Sequence, residues 1–209
     1  MNQSPNICKN RAFSLIELLV VIAIIAILSA LAVPAFNSIR GAGGLTKTGS
    51  DVAGILEQAR AYAMSQNTYV WVGFAATTNN LGNDTLVVGV VASKTGSTNS
   101  STDISQISRT VRFENVQLVV APPSASRSTN EAQLMSASAY QFALTNPATT
   151  FGSQVIRWNS RGEASIGPAL NKVIEIGLQS SSAGTIRSAS NYAAIQVGGL
   201  SGSVTVFRP

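Results

Sequence analysis

Glu17 is the one charge in the run from Phe13 to Val33, and it sits near the amino-terminal edge of that run. An acid deep in a membrane helix costs roughly 2.5–3.5 kcal/mol on insertion scales, so a carboxylate placed there points to a partner. Its local alternative is to favour the positive end of its own helix dipole. Other chemistry is thinly supplied. The chain has no histidine, which removes the commonest general base and neutral metal ligand. Its single cysteine, Cys8, precedes the apolar run. No GxSxG elbow, phosphate-binding glycine loop or closely spaced acidic pair occurs. The residue types therefore point away from an enzyme, and they imply neither a cofactor nor a metal.

The element that must position Glu17 is long enough to cross a bilayer, since about 20 apolar residues at ~1.5 Å rise match a ~30 Å hydrocarbon core. Lys9 and Arg11 precede it and no acid occurs among residues 1–12. The positive-inside rule then keeps the amino terminus cytoplasmic and sends the rest of the chain across. Arg40 and Lys47 on the far side weaken that bias slightly. Three readings compete. A plain anchor leaves Glu17 unexplained. A secretory signal peptide would use Ala30-Leu31-Ala32 as its cleavage site, with cutting after Ala32, but the run exceeds the usual 7–15-residue core. The third is a leader cut before the apolar run, so that the helix is kept.

The third reading has a specific counterpart. Arg11-Ala12-Phe13-Ser14-Leu15-Ile16-Glu17-Leu18-Leu19 resembles the cleavage and methylation motif of type IV pilins and type II secretion pseudopilins. The resemblance implies removal of a leader, residues 1–12, by prepilin peptidase, between Ala12 and Phe13. It also implies N-methylation of Phe13 and places Glu17 fifth in the mature chain. Pro34 falls where many pilins carry a helix-kinking proline. The family usually has glycine before the cut, where this chain has Ala12. A freed α-amino group, with reference pKa about 7.7–8.0, is largely charged near neutral pH, and methylation retains the charge. Buried ammonium and carboxylate are each costly alone and much less so when paired. Pairing of Phe13 with a neighbour's Glu17 would reward one axial register in a filament. The partners implied are other pilins or pseudopilins through the helix, the peptidase/methylase, an inner-membrane assembly platform and lipid. The implied location is a single-pass inner-membrane protein with a periplasmic carboxy-terminal domain, later a pseudopilus or pilus.

Loss of the leader would remove Cys8 and lower the net charge from +5 to +3 by taking Lys9 and Arg11. The mature chain then has no disulfide framework. With 11% charged residues and many Ser, Thr, Asn and Gly, the remainder suits an exported β-rich domain better than a cytosolic enzyme. Gly41, Gly43 and Gly44 interrupt any helix, each costing about 1 kcal/mol against alanine, and read as a linker that could bend during assembly. Leu45, Val52, Leu56, Ala59 and Ala63 then recur at helical spacing, predicting an amphipathic helix over about 46–66. From Thr68 the period becomes two. Strands are expected at 70–74, 85–93, 109–120 with a turn or bulge at Glu114-Asn115, 140–144, 154–158, 172–178, 192–197 and 203–207. Segments 95–108 and 122–138 read as loops. The expected fold is α+β: a transmembrane stem helix at 13–40, a linker and amphipathic helix at 41–66, and an antiparallel β domain at 67–209.

This layout is similar to one branch of the family, the minor H-type pseudopilins and FimT-like pilins. The likeness rests on Leu56–Met64, on Ile156-Arg157-Trp158-Asn159-Ser160-Arg161-Gly162, and on a final strand pair around Gly202. FimT-like pilins are associated with DNA uptake. Arg157, Arg161, Arg187 and Arg208, near Trp158 and Phe207, are the residues that would hold phosphates and stack bases. The alternative is that they are solvated strand-face arginines beside a core tryptophan. Gly162 reads as a tight turn. Secretion pseudopilus and type IV pilus remain equally open.

Overall fold

The computed structural model describes residues 15–78, 82, 84–98, 102–119, 132–135, 138–146, 148–182, 185–186 and 191–208, without the side chains of 30–43, 133, 134 and 182. Helix α1 occupies Leu15–Ser65. It corrects the expected glycine interruption, because the backbone stays helical through Gly41, Gly43 and Gly44. None of these glycines takes the positive φ that ends helices. The stripe after them supplies the compensation: Leu45, Val52, Leu56, Ala59 and Ala63 are all buried. Packing of one face outweighs about 1 kcal/mol per glycine. The helix ends where expected. Asn67 adopts φ 48° and the Thr68 amide donates to the Ala63 carbonyl at 3.1 Å, a Schellman closure with asparagine in the left-handed position.

Among the described residues no helix is long and apolar enough to cross a membrane.

The chain divides into two units at Arg40/Gly41, and the second carries the packed core. Among the described residues fourteen strands follow the helix. Strands β1 (Val70–Thr78), β2 (Asp84–Ser93), β3 (Ile104–Gln106), β4 (Val111–Glu114), β9 (Val155–Trp158) and β10 (Ala164–Ser165) form one sheet, in the order β10-β9-β1-β2-β3 with β4 also on β2. A second sheet has the order β12-β11-β13-β14, built from Thr185–Ile186, Val173–Ser182, Tyr192–Gly198 and Val204–Phe207. Strands β5 (Val116–Val119) and β6 (Ala132–Leu134) add to β11. β7 (Phe142–Thr145) and β8 (Ala148–Phe151) make a separate hairpin.

Two expectations need correction. Segments 95–108 and 122–138 contain β3 and β6, each three residues long, formed because the long strands β2 and β11 offer free ladder positions rather than by their own propensity. The domain is also only mostly antiparallel, since β6 runs parallel to β11. The expected break at Glu114-Asn115 is more than a bulge. Asn115, at φ 59°, donates its amide to Asp84 of the first sheet and accepts from Ser181 of the second. One residue thus hands the chain between sheets.

The period-two pattern sorts side chains to two faces. Val70, Val72 and Phe74 of β1 and Leu86, Val88 and Val90 of β2 face the helix and the second sheet, where Ile174, Ile176, Leu178 and Ile195 complete the main core. Trp71, Val87 and Val91 face the other way, under Phe142, Leu144 and Phe151 of the β7–β8 hairpin. Both faces of β1 and β2 are therefore buried, which explains the near-continuous apolar runs there. Gly73 and Gly89 stand directly opposite each other across β1 and β2. A Cβ at Gly73 would lie 2.7 Å from Phe151, and one at Gly89 would do the same. The glycine pair makes the slot into which the stacked Phe142 and Phe151 rings, 4.7 Å apart, are laid.

Candidate assembly segment and the arginine-bearing turns

The first turn of α1 carries Glu17, whose side chain is exposed. An acid near a helix start is favoured by ~0.3–1 kcal/mol. Ala12 and Phe13, which flank the expected cleavage site, lie outside the described residues, as does Arg187. Pro34 lies within α1, and its surroundings are not described. Around and beyond Glu17, eleven Leu, Ile and Val side chains between Leu15 and Leu28 are exposed, from 47% to 84%. Each such side chain gains about 1.5–3 kcal/mol on full burial. Because these side chains are already partly covered, burying the whole run gains on the order of 10–20 kcal/mol, as much as or more than the ~5–15 kcal/mol net stability of a typical domain. A contiguous apolar surface of this extent marks a site of membrane or protein association.

Among the described residues, Arg157, Arg161 and Arg208 are each engaged by a different set of partners. Arg157 on β9 is half-buried, with its guanidinium 4.7 Å from the Tyr140 ring centroid and 5.3 Å from that of Tyr69. It packs against two rings by cation–π attraction. Arg161 is exposed and pairs with Glu163 at 2.9 Å. Arg208 donates to the Thr46 carbonyl at 2.9 Å and to Ser50 Oγ at 3.2 Å, tying the end of the chain to α1. All three have partners within the chain.

The Trp158–Gly162 stretch is a tight turn, as its sequence suggests. Asn159 Oδ1 accepts from the amides of Arg161 and Glu163, and the Gly162 amide donates back to the Asn159 carbonyl. Gly162 sits at φ 78°. Hydrogen bonds from Asn159 first, and from Arg161 second, hold the Glu163 carboxyl below its ordinary pKa by favouring its charged form. Gly202, at φ 65°, belongs to the β13–β14 turn, where its amide donates to Gly198. A Cβ on Gly202 would overlap the Gly162 carbonyl oxygen and lie 2.6 Å from Arg60 Nε. A Cβ on Gly162 would meet Met64 Sδ at 2.7 Å. Two stretches distant in sequence are thus pressed together beneath Arg60 and Met64 of α1. The sequence singles out both glycine turns and places Arg60 off the apolar stripe of its helix, but nothing in the pattern brings it to those turns.

Residues 7–33 match the family model of the prokaryotic N-terminal methylation motif. No curated protein and no solved structure matches the chain. The match covers the leader junction, Glu17 and the exposed apolar run, and it supports a pilin-like protein processed by prepilin peptidase.

Proposed function

We propose that this chain is a minor pilin or pseudopilin, a structural subunit with no catalytic role. Prepilin peptidase removes residues 1–12 and Phe13 becomes N-methylated. The stem from Phe13 holds the subunit in the inner membrane, with the β domain in the periplasm. The same stem then packs among the stems of other subunits in a type II secretion pseudopilus or a type IV pilus, drawn out by the inner-membrane platform. One observation carries this reading: the methylation motif coincides with a helix whose apolar side chains are exposed and whose first turn holds an acid. A neighbour's Phe13 ammonium gives Glu17 a partner when lipid is left behind, so transfer from membrane to filament exchanges one apolar surrounding for another while pairing two charges.

Mass spectrometry of the mature protein, produced beside a prepilin peptidase, tests the reading. A first residue of methylated Phe13 is expected. A first residue of Val33 would replace it with ordinary secretion. Glu17→Ala should leave cleavage and membrane insertion intact while abolishing cross-linking to partner pilins, and undiminished cross-linking would remove Glu17 from the assembly role. The DNA-uptake variant draws no support from the arrangement of Arg157, Arg161 and Arg208, each engaged within the chain.

A further inference from the structure

On the face of the first sheet turned away from the helix, the ends of β1, β2 and β4 and strand β8 enclose a cleft of about 410 Å³. That lies within the ~300–1,000 Å³ of small-ligand sites. Thr77, Thr78, Thr149 and Thr150 line it, together with Thr85 and Arg112. The pairing register explains the convergence: Thr85 stands across from Thr77 on one side, and Arg112 stands across from Val87. Thr85 is 4% exposed, and its Oγ1 finds no hydrogen-bond partner. Arg112 is exposed and forms no hydrogen bond or ion pair among the described residues. Unlike Arg157, Arg161 and Arg208, it has no such partner among the described residues.

The lining chemistry selects among ligands. A guanidinium binds a carboxylate with two parallel hydrogen bonds. Threonine hydroxyls both donate and accept, which suits ring hydroxyls that do the same. Ala75, Val87 and Ala148 add apolar surface for the C–H faces of a ring. Among the described residues no carboxylate lines the cleft. Glu114 stands across from Thr85, two residues from Arg112, so one net cation at most is on offer to a multiply charged ligand. A nucleic-acid strand would require a cationic track and stacking aromatics, and the lining has neither.

We propose that this cleft binds a sugar acid, a hydroxyl-rich ligand with a single carboxylate, Arg112 holding the carboxylate and the threonines the ring hydroxyls. The site lies wholly in the β domain, and its test does not depend on the filament reading. The full chain in detergent micelles is titrated with glucuronate, glucose, acetate and inorganic phosphate, and backbone amide resonances are followed by NMR. Glucuronate should shift Thr77, Thr85 and Thr149 saturably with a Kd on the order of millimolar, as one charged pair and a few hydroxyl contacts allow. Glucose and acetate should each bind at least about tenfold more weakly, the loss of ~1.4 kcal/mol being a small share of either contact set. Arg112→Gln should lose at least that factor for glucuronate, and Thr150→Val, at an exposed position, a smaller one. Unchanged resonances elsewhere show that each variant is folded. No saturable shift with glucuronate, equal binding by Arg112→Gln, or binding of acetate or phosphate as tight as glucuronate would each overturn the proposal.

Discussion

Replacing Gly73 by alanine tests the packing argument at its tightest point. The added Cβ would stand 2.7 Å from both Cβ and Cγ of Phe151 and 2.8 Å from Phe142 Cε1. Phe151 is fully buried and Phe142 nearly so, leaving neither ring a free direction in which to retreat. Overpacking of this kind costs roughly 1–3 kcal/mol. Against it stands the ~0.4–1 kcal/mol gained when alanine narrows the unfolded ensemble. The clash outweighs that gain, so a net loss of about 1–2 kcal/mol is expected. Phe151→Ala alone should cost about 3–5 kcal/mol by leaving a cavity. In the double variant the clash with Phe151 disappears and Phe142 can shift into the space it vacates, so Gly73→Ala should then cost much less, a coupling of about 1–2 kcal/mol. Urea unfolding in detergent micelles, followed by tryptophan fluorescence, reads all four corners, Trp71 lying in the same cluster as Phe151. A Gly73→Ala protein as stable as its parent, or a double variant that is simply additive, would refute the slot.

Gly202→Ala should be more damaging than an ordinary surface change. It forces a side chain into a left-handed conformation at about 1–2 kcal/mol and drives it into the Gly162 carbonyl, and circular dichroism melting should show a clear loss of Tm. Asp103 gives a pH-dependent prediction. Hydrogen bonds from Ser93 and then Thr95 lower its pKa, so its contribution is present above the unfolded carboxylate value and is lost as pH falls through the folded one, below about 4. Asp103→Asn should flatten that part of the stability–pH profile, and an unchanged profile would show that these bonds do not report on folding. Leu56→Ala, at a side chain with no exposure, should cost about 2–5 kcal/mol.

The strands that were legible in sequence are the ones with apolar alternation of their own, such as Val70–Phe74 and Tyr192–Val197. β3, β6, β8, β10 and β12 were not legible, because at two to four residues their existence depends on a partner's unfilled ladder. The helix departs from its sequence pattern at Gly41–Gly44 for a related reason: propensity is a local quantity, and the burial of Leu45, Val52 and Leu56 that outweighs it is not. The assembly segment was readable because its chemistry is contiguous, a basic leader, an acid and an apolar run within about two dozen residues. The threonine cleft was invisible, since Thr77, Thr85, Arg112 and Thr149 meet only through strand register and the return of the β7–β8 hairpin. Gly73 and Gly89 look like weak points in strands and prove to be fitted to Phe151.

The hold of Arg208 on Thr46 and Ser50 joins positions about 160 residues apart, and Val206 approaches Gly49 on the same helix. Closing so large a loop is entropically slow, and a fold dominated by such distant pairings forms late. During synthesis the stripe from Leu45 to Ala63 emerges early, while β13 and β14, which help to cover it, follow long after it. Until β14 is made the stripe lacks part of its cover, and a chain stopped short of β14 would present that uncovered part to chaperones and proteases.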